Sequence, residues 1–128
     1  MILVDTTVWI DFLAGRVPAL PLRSLLAANR VVCHPAVRGE IALGSIAQRD
    51  EVLRLLAQLP SVPVIGDDEV FAMIDSKKLH ASGIGWVDAH LLASAVAGSH
   101  LIWTGDKRLA GVAARLRMLA DRATFGLK

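Results

Sequence analysis

Ile2-Leu3-Val4 is an unbroken apolar run that ends abruptly on an acid, Asp5. A run this short, with no polar alternation, is the pattern of a strand buried on both faces. Similar runs recur at Val31-Val32-Cys33, at Val64-Ile65 and at Leu101-Ile102-Trp103, which His100 precedes. Strands covered on both sides need helices on both sides, and the longer segments between the runs carry helical periodicity. The expected fold is therefore α/β: a three-layer α/β/α sandwich around a mostly parallel sheet of four to five strands. Met118-Leu119-Ala120 would supply a short edge strand.

The helices can be placed from their punctuation. Thr6 or Thr7 is the expected cap of a first helix, with Val8, Trp9, Phe12 and Leu13 on its apolar side and Gly15 at its end. Pro18 and Pro21 mark a turn before a second helix at about 22–28. Pro35 opens a helix that carries Glu40 and stops near Gly44. Residues 49–59 place Val52, Leu55, Leu56 and Leu59 on one face. Pro60 and Pro63 bracket Val62. A helix from 67 to about 81 starts with Asp67, Asp68 and Glu69, where acids suit the helix dipole. Gly83 and Gly85 then break the pattern. Residues 86–97 form the most apolar helix, expected to be central, and Gly98 ends it. A last helix covers about 107–116.

A chain of 128 residues that is 54% hydrophobic is expected to form a single domain, 1–128, around one core. No repeat, linker or low-complexity segment interrupts it. No apolar run approaches the roughly 18 residues of a membrane span, and the first residues lack the basic region of a secretory signal. The single cysteine, Cys33, excludes an internal disulfide and fits the reducing cytoplasm. Its neighbour His34 does not make it a zinc site, because no second cysteine is present.

The acids carry the chemistry. In parallel α/β folds ligands bind outside the carboxyl ends of the strands. Asp5 follows the first strand and Asp106 follows the last core strand, while Glu40 lies on the helix after the second. Asp88 opens the most apolar helix, between Val87 and Ala89, where a buried acid needs a partner. All four are expected at one edge of the sheet. Carboxylates gathered there repel each other, and a divalent cation removes the conflict. Oxygen-only ligands favour Mg²⁺ or Mn²⁺, and two such ions about 4 Å apart would suit in-line phosphodiester displacement. Net charge is +2, from 14 basic against 12 acidic residues; with four acids committed to metal, 14 face 8. That leaves a basic surface able to hold a phosphate backbone.

Four segments taken together resemble the PIN-domain family, specifically VapC-type toxins of type II toxin–antitoxin systems. They are LVDTTVWIDFL, HPAVRGEIALGS, GIGWVDAHLLASA and LIWTGDKRLAGVA, in the family's order along the whole chain. The resemblance implies a Mg²⁺- or Mn²⁺-dependent endoribonuclease that cuts RNA by metal-assisted hydrolysis, leaving 3′-hydroxyl and 5′-phosphate ends. It implies that Asp5, Glu40, Asp88 and Asp106 are the metal-binding and catalytic acids, and that Thr104 orients the site. Thr6 and Thr7 match the small polar residues after the first acid. It also implies a cognate VapB-type antitoxin whose C-terminal segment blocks the pocket, and a homodimer. Apolar helix faces between Arg49 and Ala81 are candidates for contact. Arg38 departs from the apolar residue expected there; it either touches substrate phosphate or pairs with Glu40.

Other residues carry blander expectations. Asp50, Glu51, Asp67, Asp68 and Glu69 are expected in solvated first turns, and Asp11 at the surface or just outside the metal pocket. His34 and His90 are expected to be buried and hydrogen-bonded. Trp9, Trp86 and Trp103 are expected in the core, and Lys107 and Arg108 either contact RNA or are solvated. Two rival functions share parts of the pattern. A haloacid-dehalogenase-like phosphatase also opens on a strand ending in Asp, but needs an acid where Thr7 stands. A receiver-like signalling module needs paired acids after its first strand and an acceptor Asp after its third; Lys107 would be its lysine.

Overall fold

A computed structural model describes residues 1–16, 20–121 and 124–125. Strands β1 (Ile2–Val4), β2 (Val31–Val32) and β3 (Leu101–Trp103) form a parallel sheet in the order β2-β1-β3. Leu3 pairs in register with Val32 on one side and Ile102 on the other. Central β1 is buried along its whole length, as its unbroken apolar run requires.

Helices α1 (Thr6–Leu13) and α2 (Leu20–Ala27) lead from β1 to β2. Then α3 (Pro35–Leu43), α4 (Arg49–Gln58), α5 (Asp67–Ser76) and α6 (Trp86–Gly98) lead to β3, and α7 (Lys107–Arg115) follows it. The core gathers β1, the inner half of α6 (Leu91, Leu92, Ala95), Val37 and Ile41 of α3, and Leu109 and Ala113 of α7. Truncating a side chain such as Leu92 to Ala would cost about 2–5 kcal/mol.

The expectation of four to five strands is corrected to three among the described residues. At one edge the sheet gains only a bridge between Cys33 and Ser61. Cys33 donates its N–H to Pro60 and accepts from Val62, but Pro63 has no N–H to carry the ladder on. Val64 is accordingly exposed, and Val64-Ile65 is not a strand. At the other edge Leu119 makes a single bridge to Ile102, so 118–120 also falls short of a strand. The helix expected from 67 to 81 ends at Ser76. Lys78 turns left-handed and the Leu79 N–H returns to the Ile74 carbonyl, which folds Leu79 back into the core.

The order β2-β1-β3 sets up the site. The chain leaves β1 for one neighbour and later crosses to the other. The crevice between β1 and β3 is thus the switch point, and ligands bind at the carboxyl ends of strands beside such a point. Asp5 and the turn Thr104-Gly105-Asp106 occupy those two strand ends.

Candidate active site

Asp5 is 5% exposed and is the N-cap of α1, a role expected of Thr6 or Thr7. Its Oδ1 accepts the Thr6 N–H at 2.7 Å. Its Oδ2 accepts two hydroxyls, Thr104 at 2.7 Å and Thr7 at 2.9 Å. The two threonines satisfy Oδ2 and the Thr6 N–H satisfies Oδ1. Capping and site-building are thus one function here, since the cap fixes where the carboxylate stands.

Thr7 also joins the strand ends. Its hydroxyl accepts the Gly105 N–H at 2.9 Å while donating to Asp5. Thr104 in turn accepts the Asp106 N–H at 3.0 Å. Asp106 caps α7 by accepting the Leu109 N–H on Oδ1 at 2.9 Å. Thr6 reaches the other way and donates to Oε1 of Glu40 on α3, at 2.8 Å. Helix α3 is held at its start by Pro35 and by His34, whose Nδ1 accepts the Ala36 N–H at 2.9 Å.

Asp88 stands in the first turn of α6, half-buried, with Oδ2 3.4 Å from the Gly85 nitrogen that donates to it. Burial pushes its carboxyl above the usual range, against the pull of that N–H, and the charges of Asp5, Asp106 and Glu40 push it further. Those three acids therefore act on Asp88 through space: four carboxylates from distant segments share one electrostatic field. Among the described residues, no three acid, histidine or cysteine side chains close around a single point. The donor set nonetheless fits Mg²⁺ or Mn²⁺, since Mg²⁺ typically takes one or two carboxylates and completes its shell with water and phosphate oxygens.

The remaining expectations divide. His34 is 4% exposed; burial first, and the nearby His90 second, lower its pKa. Its Nε2 has no hydrogen-bond partner among the described residues, so the expectation of a fully bonded histidine fails there for that atom. Cys33 is buried, and burial pushes its thiol up to about 11 despite the nearby Arg38 charge. Arg38 does not pair with Glu40, whose Oε1 binds Thr6. Asp11 pairs with Arg16 at the surface, and Asp67 with His90 at 3.3 Å. Trp9 is buried as expected and Trp103 half-buried against Phe125. Trp86 is a correction: it is 43% exposed, 5.0 Å from the ring of Phe71 and edge-on to His90. Helix α6 is central only from Ala89 onward, so its first turn emerges at the surface. The tie from Thr7 to Gly105 and the capping role of His34 were not anticipated. The polar pair after Asp5 was the visible signal for the first, and a histidine directly before Pro35 for the second.

An acid at the end of a central parallel strand, tied by threonines to a second acid across a switch point, defines a class. The chain belongs to the PIN-domain family, whose model matches residues 2–115. Within it the chain is of the VapC type. It is similar to Ribonuclease VapC32 of Mycobacterium tuberculosis (strain CDC 1551 / Oshkosh), with 50% identity over 110 residues, or 85% of this chain and 87% of that protein. The protein of the same name from strain ATCC 25618 / H37Rv matches to the same extent.

Proposed function

We propose that this protein is a Mg²⁺- or Mn²⁺-dependent endoribonuclease toxin that hydrolyses RNA phosphodiester bonds. The observation that carries the reading is the bonded frame at the β1/β3 switch point, where Thr104 and Thr7 tie Asp5 to the turn that presents Asp106 and Thr6 reaches Glu40. The similar proteins bear the name ribonuclease. The four acids would hold the divalent ion, and Thr104 would orient Asp5. When bound, the ion activates water and offsets the charge that develops on the phosphate oxygens.

The chain's own residues do the rest. Thr7 and Thr104 hold Asp5 in one rotamer, so its position needs no rearrangement on binding. Thr6 holds Glu40 beside it. Burial and the neighbouring acids push the Asp88 carboxyl above its usual range, and a bound cation would oppose that push. Hydrolysis of this kind leaves a 5′-phosphate and a 3′-hydroxyl and needs no attack by the ribose 2′-hydroxyl. The two rival functions have less support. Thr7, where the phosphatase needs an acid, is committed to Asp5 and Gly105. The receiver module needs a second acid beside Asp5, where Thr6 and Thr7 stand.

The reading extends to partners and setting. A VapB-type antitoxin is the expected inhibitor. A homodimer is supported by large apolar side chains left exposed at Leu55, Val64 and Phe71, within the segment anticipated for contact, and at Trp86. No described helix is long and apolar enough to cross a membrane, and the one cysteine is a buried free thiol. Both suit the cytoplasm. For a single domain over 1–128 the support is the family match across residues 2–115, and for the three-layer arrangement it is the burial of β1 along its length.

The test is to incubate purified protein with bulk cellular RNA in Mg²⁺ and sequence the new 5′ ends. Discrete 5′-phosphate ends are expected, absent with EDTA and absent with Asp5→Asn. Equal cleavage by Asp5→Asn would overturn the assignment.

A further inference from the structure

We propose that Arg108 is a phosphate clamp at the rim of the acidic pocket, holding an RNA phosphodiester beside the one that is cut. This rests on the ribonuclease reading and adds a substrate contact to it. Arg108 lies in the first turn of α7, directly after Asp106 and Lys107 and before the buried Leu109. Its side chain lies across the turn at Gly83. A Cβ built on Gly83 would stand 2.8 Å from the arginine Cδ, 3.2 Å from Nε and 3.5 Å from Cζ. Gly83 precedes Gly85, whose N–H faces Asp88. Arg108 thus spans the two segments that carry Asp106 and Asp88.

Its guanidinium is uncommitted. Arg16, Arg49 and Arg115 each donate to oxygens of the chain, whereas Arg108 makes no hydrogen bond or ion pair with any described residue. An arginine bonded to a pocket acid would compete with the metal. Packing of the stem on Gly83 holds this one between the segments that carry Asp106 and Asp88 without pairing it to any acid among the described residues. The fork of N–H donors then remains free for phosphate oxygens, which it matches in a bidentate way.

Gly83 serves the arrangement twice. Its φ of +87° suits glycine, and the absence of a Cβ makes room for the arginine stem. An alanine there would strain the backbone as well as meet the arginine stem, so Arg108 itself is the position to vary.

The experiment measures binding of a short labelled single-stranded RNA of mixed sequence by anisotropy, in Mg²⁺, on an Asp5→Asn background that does not cut. Cleavage of bulk RNA by the otherwise unaltered protein is followed in parallel. Arg108→Ala should weaken binding roughly 10-fold and lower the log–log salt slope by about one, the signature of one lost phosphate contact. Arg108→Lys should restore the slope but only part of the affinity. Arg54→Ala, on α4, should match the parent. Circular dichroism confirms folding, with Arg108→Gln as the substitute should the alanine variant not fold. Unchanged affinity and slope in folded Arg108→Ala would overturn the clamp. A parent that binds but never cuts RNA would instead remove the nuclease reading, and the binding series would still decide the clamp.

Discussion

The Thr104 hydroxyl donates to Oδ2 of Asp5 at 2.7 Å, across 99 positions of sequence. That bond ties the carboxyl end of β1 to the loop after β3. It is one of three bonds on the Asp5 carboxylate, and it places Asp5 against the turn that presents Asp106. Thr104→Ala should lower RNA cleavage by about 10–100-fold, the usual consequence of removing a group that orients a metal ligand. Thr104→Ser keeps the hydroxyl and should retain most activity. Initial rates in Mg²⁺ check both, and equal rates for alanine and parent would show that the bond orients nothing.

Asp5→Asn separates chemistry from folding. Asparagine caps helices about as well as aspartate, but its single acceptor cannot serve both the Thr6 N–H and the threonine hydroxyls, so the unfolding free energy should fall by about 1–3 kcal/mol. Cleavage should fall by at least about 10²-fold, since a charge that opposes the cation is gone. Urea unfolding and cleavage assays on the same preparation measure the two effects.

The raised pKa of Asp88 makes stability depend on pH in a defined direction. Asp88 binds its proton more tightly in the folded protein than in the unfolded chain. From its ordinary value of 3.8 upward to its raised folded value, the native state holds more protons, so stability falls as pH rises. Above that window the full destabilisation is present. Asp88→Asn should therefore melt higher than the parent at pH 7 in EDTA, and the gap should close as pH falls toward 3.8. Mg²⁺ should raise the parent's melting temperature more than the variant's. Thermal melts across pH, with and without Mg²⁺, decide it; a variant less stable than the parent at pH 7 would contradict the shift.

His34 caps α3 through Nδ1. His34→Ala should cost about 0.5–2 kcal/mol for the lost cap, and more if the ring's space stays empty. His34→Asn restores an acceptor at the same position and should recover part of the loss. Because α3 carries Glu40, the alanine variant should also lose activity beyond what its stability predicts.

Phe71 and Trp86 stack on each other at 5.0 Å at the surface. Changing both to serine should shift the protein toward monomer without lowering its melting temperature at low concentration. Light scattering over a concentration series reads the change. An unaltered mass distribution would place the dimer contact elsewhere.

Much of this site was legible in the sequence. Asp5 after an apolar run, Asp88 within an apolar helix and Asp106 after the last core strand each broke a local pattern. The helices were legible too, because Gly15, Pro35, Gly44 and Gly98 punctuate them. Strand count was less so: Val64-Ile65 has strand-like residues, but Pro63 denies it a ladder partner, and pairing is a property of neighbours rather than of the run itself. Trp86 read as core because its helix is apolar overall, yet its turn projects past the sheet.

The sequence by itself determined the acids, the strand-ending position of Asp5 and the periodicities that make an α/β fold. Those follow from backbone preference and from the cost of burying charge, which act locally. Only the tertiary structure decided that Thr7 and Thr104 share the oxygen of Asp5, that Glu40 is reached through Thr6, and that Arg108 rests on Gly83. Each of these joins distant segments, and a hydrogen bond or a packed stem has a range of a few ångströms. Such contacts are settled when sheet order brings β1 and β3 side by side, and no local spacing encodes them.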